Sequence, residues 1–314
     1  MTLWSLLAEH SYRMVLAGTG IIGLGAGALG AFTYLRRQSL LADVVSHSSL
    51  LGIVGGFALA VTVFGIDGRS LPVLILGAGL VGLGSSLLAN AIARRSRVGI
   101  DAAMAIILAL CFGAGMVFLR LIQKSSLPGK GGLGDYLFGS AATITRADLI
   151  TTAVFSGGAI IVMLLLWKPF VAVTFDAAFA RQLGYRVGLV DAVMFATMVI
   201  AIVVGIKAVG VILMVAFAIA PPAAARQWTQ RVGPMVGLSA TFGALGAMTG
   251  TWISVSIGSV PTGPVIVLVL TCLVLVSLLF APRRSLAARS LRARRGRAAL
   301  LAAPATAPKE ASRP

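Results

Sequence analysis

Long unbroken apolar runs constrain this chain more than any other feature. Residues 14–35, 40–64, 71–93 and 232–257 each exceed 18 residues of mainly apolar side chains. A helix of that length, at about 1.5 Å per residue, matches a hydrocarbon core roughly 30 Å thick. Inside lipid every backbone N–H and C=O must be paired within the segment, which leaves helices or a closed β-barrel. Barrel strands alternate polar and apolar at period two, and these runs do not. The chain is 58% hydrophobic and 11% charged over 314 residues. The expected fold class is therefore all-α: a polytopic transmembrane helix bundle of about nine spanning helices, or eight if 187–220 is one broken helix.

The formal net charge of +17 invites a nucleic-acid reading. The basic residues, however, sit in short segments between and after the apolar runs, which is the positive-inside pattern of a membrane protein. No nucleic-acid partner is expected. Placing Arg36-Arg37, Arg94-Arg95-Arg97, Arg226 and Arg231 in the cytoplasm gives an N-terminus outside and a C-terminus inside a cell inner or plasma membrane. Cys111 and Cys272 lie in apolar runs without paired spacing, which indicates neither a disulfide framework nor a thiolate metal site. Glu9 and His10 stand where a cleavable signal would carry basic residues.

Three regions follow from this pattern. Residues 1–12 read as an interfacial segment, 13–282 as the transmembrane domain, and 283–314 as a basic, disordered cytoplasmic tail. The tail carries seven arginines in residues 283–297, a composition attracted to anionic membrane lipid. Gly23 and Gly27 give the first span a spacing that permits close helix packing. Asp101 is expected to cap the fourth helix. Residues 123–147, with Pro128 and four nearby glycines, read as an outer loop, and residues 149–167 as the fifth helix. Gly129-Lys130 lacks both the preceding glycine and the following Ser or Thr of a phosphate loop.

The run 187–220 is too long for one span. It is read as a hairpin interrupted at Gly205-Ile-Lys207 and ended by Pro221-Pro222, with Lys207 snorkelling at the outer end. Asp191 reads as structural or interfacial. Between the fifth helix and this run, Asp176 suits an N-cap, Ala177 to Leu183 are helix formers, Arg181 suits a helix C-terminus and Gly184 suits the position after it. This short capped helix is either a docking element for a cytoplasmic partner or an ordinary interfacial helix.

The most informative pair lies in the second apolar run. Asp43 and His47 are four residues apart, so on a helix both project from one face, near enough to bind the same ion. Ionisable side chains within a span are costly unless partnered or facing a wet cavity. One carboxylate oxygen and one imidazole nitrogen suit manganese, zinc or iron(II). Two ligands do not fill a coordination sphere, and a second copy facing the first would complete an Asp2His2 set. The pair also suits a hydrogen bond between helices or a proton relay, so a proton-coupled secondary metal transporter and a non-transporting membrane scaffold stand as alternatives.

Several of these stretches together resemble the integral-membrane permease of the ABC-type manganese/zinc/iron importers. They are Arg36 through Leu51 with Asp43, Ser46 and His47; Phe138-Gly-Ser140; Phe175-Asp176 through Leu183-Gly184; Ala208-Val-Gly-Val-Ile-Leu213; and Pro261-Thr-Gly-Pro264 before the final helix. The resemblance covers about residues 14–289. The arginine-rich tail and the Ser48-Ser49 pair depart from the family pattern. The resemblance implies that Asp43 and His47 are intramembrane ligands for transported Mn2+, Zn2+ or Fe2+, given by each of two permease subunits in a homo- or heterodimer. It implies that Phe175, Asp176, Phe179, Ala180, Arg181 and Gly184 belong to a coupling helix seated in a separate cytoplasmic ABC ATPase. It further implies an extracytoplasmic metal-binding lipoprotein as partner, no permanently bound cofactor, and no enzymatic activity in this chain.

Overall fold

A computed structural model describes residues 10–36, 38–139, 144–258 and 260–281, with the side chains of His10, Ser11, Ser39, Leu71 and Asp135 left out. Most of the 1–12 segment, Arg37, Ser140 and the 283–314 tail thus lie outside the described residues. The elements are α1 (His10–Leu35), α2 (Ser39–Leu59) continued by a π-helical turn (Ala60–Phe64), α3 (Leu71–Arg95), α4 (Ile100–Lys124), α5 (Asp135–Phe138), α6 (Arg146–Leu165), α7 (Trp167–Phe175), α8 (Ala177–Gln182), α9 (Val187–Val209), α10 (Val211–Trp228), α11 (Val232–Ile257) and α12 (Thr262–Phe280). Nine of these, all but α5, α7 and α8, are long and apolar enough to cross a membrane.

Burial sorts the spans into inner and outer. The apolar window of α1 is 78% buried and those of α2 and α9 are each 61% buried, against 28% for α6 and α12, so α1, α2 and α9 run through the middle. α1 packs on α11, α10, α6 and α9, while α2 packs on α3, α4, α10 and α9. α9 and α10 therefore join two groups of helices, one built around α1 and the other around α2.

Lipid tails are as apolar as leucine, so helix association in a bilayer relies on close packing and polar contacts. Glycines supply the closeness here. A Cβ on Gly23 would collide with the carbonyl of Gly243, and one on Gly243 with that of Gly23. One turn on, Gly27 approaches the Ser239 backbone, and the Ser239 hydroxyl donates to the Gly27 carbonyl at 2.6 Å. Gly52 and Gly77 make the same mutual approach between α2 and α3.

The 187–220 run is two helices, as a hairpin reading requires, but its break lies elsewhere than at 205–207. Helix α9 continues through Lys207 to Val209, and the chain reverses at Gly210, whose φ of 94° is one that side-chain-bearing residues rarely adopt. Nor do the two prolines end the second leg: Pro221 and Pro222 lie inside α10, which runs on to Trp228. They remove the amides that would have bonded the Phe217 and Ala218 carbonyls. Gly30 of α1 approaches the freed Ala218 oxygen so closely that a Cβ would strike it, a place for a weak Cα–H···O contact.

Other boundaries also moved. Residues His10 to Tyr12 are already the first turn of α1. Gly99 is the N-cap of α4, and Asp101 lies within the first turn, where it favours the helix dipole without capping. The fifth span starts earlier, at Arg146, because Thr145 and Asp148 form a reciprocal capping box. Residues 167–175 form the extra helix α7, with Pro169 tolerated in the first turn.

Gly23→Leu should lower stability by about 1–3 kcal/mol through overpacking against α11, read as a lower melting midpoint in detergent. At Gly79 an added methyl meets nothing within 4 Å, so Gly79→Ala should be neutral or stabilising by up to about 1 kcal/mol. Equal losses at the two positions would contradict the role given to Gly23.

Candidate functional site

Asp43 and His47 stand on the second and third turns of α2, with His47 about 12 Å along the axis from Ser39. Their i, i+4 spacing brings His47 Nε2 to 3.1 Å from Asp43 Oδ1. Two atoms that ligate one ion at about 2.1 Å, with about 90–109° between them, stand roughly 3.0–3.4 Å apart. The observed separation thus serves both a direct hydrogen bond and joint ligation, with no helix distortion needed for either. The side chains are 17% exposed for His47 and 33% for Asp43, so an ion or a second chain has access to them. Among the described residues no group of three or more His, Cys, Asp or Glu is gathered. Within those residues, the pair offers two ligands.

The serines around the pair serve the helix. Ser48 and Ser49 hydroxyls donate back to the Val45 carbonyl, at 3.3 and 2.6 Å. Ser46 is fully buried, and its hydroxyl donates to the Val211 carbonyl in the first turn of α10. The residue beside His47 is thereby tied to the backbone just past the Gly210 reversal.

That reversal is itself clamped. A Cβ on Gly139 would collide with the backbone at Val209–Gly210, and one on Gly210 with that at Phe138–Gly139. Gly263, in the first turn of α12, brings a notional Cβ to 2.6 Å from the Val209 oxygen and 2.9 Å from that of Phe138. The three stretches singled out in the sequence therefore meet backbone to backbone at Phe138-Gly139, Val209-Gly210 and Gly263. The described part of the outer loop holds the short helix α5, which delivers Phe138-Gly139 to this point.

The short helix α8 forms as its end signals dictate. Asp176 Oδ1 accepts from the amides of Ala178 and Phe179, both at 2.9 Å. At the other end the Gly184 amide donates to Arg181 O and the Tyr185 amide to Ala180 O, with Gly184 at φ 83°, a Schellman stop. Phe179 and Leu183, spaced by four along α8, are 53% and 55% exposed, Phe175 at the end of α7 is 61% exposed, and Arg181 is exposed as well. Ala180 is fully buried and seats the helix on the bundle.

Sequence reasoning missed two contacts. Lys207 does not snorkel: its ammonium pairs with Asp148, joining the end of α9 to the start of α6. The Thr145–Asp148 capping spacing was visible in the sequence, but a partner 59 residues away was not. Phe112 of α4 packs in a T-shaped arrangement with the His47 ring, centroids 4.9 Å apart at 78°, and nothing in the sequence marked it. Asp191 is structural, paired with Arg36 at 2.9 Å across α9 and the end of α1.

A family model described as the ABC 3 transport family matches residues 9–281. The manganese transport system membrane protein MntC of Bacillus subtilis is 37% identical over 291 residues, which is 93% of this chain and 66% of that protein. The zinc transport system membrane protein TroC of Treponema pallidum is 38% identical over 293 residues, 93% of this chain and 96% of that protein. Among solved structures, PsaBC from Streptococcus pneumoniae in complex with Fab superposes with a TM-score of 0.80 at 26% identity, covering 93% of this chain and all of that one.

The Asp148–Lys207 pair yields a stability test. Lys207→Met leaves a buried carboxylate without its counter-charge and should cost about 3–5 kcal/mol, whereas Asp148→Asn/Lys207→Met should recover most of that loss. Thermal melts of the purified variants decide it, and additive losses would mean the two side chains do not interact.

Proposed function

The chain belongs to the ABC 3 transport family, and from that premise we propose that it is the membrane permease of an ATP-driven importer of divalent transition metal ions. As a member of a transport family it is a transport component and not an enzyme. The observation that carries the metal reading is the 3.1 Å approach of His47 Nε2 to Asp43 Oδ1 on one face of a spanning helix. An imidazole nitrogen and a carboxylate oxygen suit Mn2+, Zn2+ and Fe2+. The names of the two relatives, one a manganese and one a zinc system membrane protein, fall within that set.

Asp43 and His47 hold the ion in transit, and a second permease subunit facing the first supplies the remaining protein ligands. An extracytoplasmic metal-binding protein delivers the ion. A separate cytoplasmic ATPase receives Phe179 and Leu183 of α8 together with Phe175 at the end of α7, whose exposure leaves three large apolar side chains for a partner groove to cover. Asp176 and Gly184 fix the two ends of that helix, Ala180 anchors it, and Arg181 offers charge at the rim. ATP-driven movement of this helix passes through α9, on which α8 rests, to α2. The arginines at 36, 94, 95, 97, 181, 186, 226 and 231 would then all face the cytoplasm, which supports an outer N-terminus and an inner C-terminus.

Uptake of Mn2+ and Zn2+ by cells or proteoliposomes carrying the permease, ATPase and binding protein tests the proposal. Asp43→Ala and His47→Ala should each reduce ATP-dependent uptake by at least about a hundredfold, the upper end of what loss of an outer-shell partner costs, with the protein still assembled. Unaltered uptake refutes the ligand assignment. Uptake that follows a proton gradient and ignores ATP would instead favour a proton relay by the same pair.

A further inference from the structure

The outer surroundings of His47 are unusual for a metal ligand. A ligating histidine ordinarily donates its second ring N–H to a carboxylate, a backbone carbonyl or water, which fixes the ring and strengthens its donor nitrogen. His47 directs Nε2 to Asp43, but among the described residues no side-chain or backbone group hydrogen-bonds its buried Nδ1. What the imidazole meets is the ring of Phe112, edge to face at 4.9 Å. Such pairs prefer this T-shaped arrangement, and a phenyl ring offers no strong hydrogen-bond acceptor.

The fold brings Phe112 there by a specific route. Gly115, one turn along α4 from Phe112, lets that helix approach α2 until a Cβ at 115 would lie 2.9 Å from the Leu51 amide nitrogen and 3.2 Å from Leu50 Cγ. Leu51 is one turn beyond His47. The Cys111 thiol, beside Phe112, meets the Ser85 hydroxyl of α3 at 3.4 Å, which holds the same stretch of α4 from its other side. Close helix approach thus presses the phenyl ring onto the imidazole.

We propose that Phe112 is a positioning residue for the transported ion. Resting on the reading of His47 as a ligand, the phenyl ring takes the place of the outer-shell acceptor. It holds the imidazole so that Nε2 converges with Asp43, and gives Nδ1 no strong acceptor. The His47 nitrogen is oriented without being strengthened, so the ion is held in geometry but weakly, as a cargo that must leave each cycle requires. Phe112 touches His47 and acts on the ion only through it.

Mn2+ binding to the purified permease–ATPase complex, and the apparent KM and maximal rate of Mn2+ uptake, test this. Phe112→Leu, which keeps an apolar side chain and loses the ring, should weaken Mn2+ binding and raise the apparent KM by about ten- to a hundredfold. Phe112→Tyr, which retains the ring, should stay within a fewfold of the parent. Phe112→Gln, which offers Nδ1 an acceptor, should bind Mn2+ more tightly while lowering the maximal rate. A purely space-filling role predicts Leu and Tyr behaving alike, and equal affinities for those two in stably assembled protein would overturn the proposal. The ligand reading fails separately, if His47→Ala transports like the parent.

Discussion

The architecture depends on backbone meeting backbone. In a bilayer the burial of apolar side chains gives helices little reason to associate, because lipid already provides an apolar surround. What remains is the contact of flat helix faces, and in this chain the faces are flattened where glycines oppose carbonyls, Gly23 and Gly27 on Gly243 and Ser239, Gly30 on Ala218 and Gly52 on Gly77, and where Gly115 meets the Leu51 amide nitrogen. Each fixes two helices at a spacing that one methyl group would disturb. The result is a frame whose polar contacts, such as Ser239 to the Gly27 carbonyl and Thr251 to Thr19 at 3.0 Å, lock into register.

Within this frame the functional elements are joined by short physical links. His47 is flanked by Ser46, Ser46 bonds the Val211 carbonyl, and Val211 follows the Gly210 reversal held under Phe138-Gly139 and Gly263. On the opposite side, Arg36 just before α2 pairs with Asp191 of α9, near the end that carries α8. The helix bearing the proposed ligands is thus gripped from both directions. Movement of α9 or α10 reaches it through hydrogen bonds and ion pairs and does not depend on diffuse packing alone.

The sequence disclosed what is local. Asp43 and His47 are legible because helical periodicity alone places residues i and i+4 together, and their ionisable character in an apolar run is costly enough to stand out. Asp176 and Gly184 are legible because capping is decided within one turn. Contacts across the fold were not readable. Lys207 reads in one dimension as a terminal residue free to snorkel, and its partner Asp148 lies on another helix. Pro221-Pro222 looked like a stop because the rule that proline ends helices assumes that nothing else approaches the freed carbonyls. Here α1 does so at Gly30, which a one-dimensional pattern does not record. Phe112 was invisible for the same reason, being one phenylalanine among 14 until Gly115 brings it onto the imidazole.

A transport site has to bind its ion and also give it up, and two rigid ligands on one helix meet that need better than a complete set would. A full coordination sphere built within one bundle is released only by distorting helices whose backbone bonds have no water to replace them. When part of the sphere comes from a facing subunit, as proposed, the ion is freed by separating two intact surfaces. On this proposal Asp43 and His47, 3.1 Å apart in the structure, would keep their spacing, and the energy of the cycle would go into moving helices whole. The phenyl group in place of an outer-shell acceptor works toward the same end, because a ligand that is aimed but not strengthened loses less when the surfaces part.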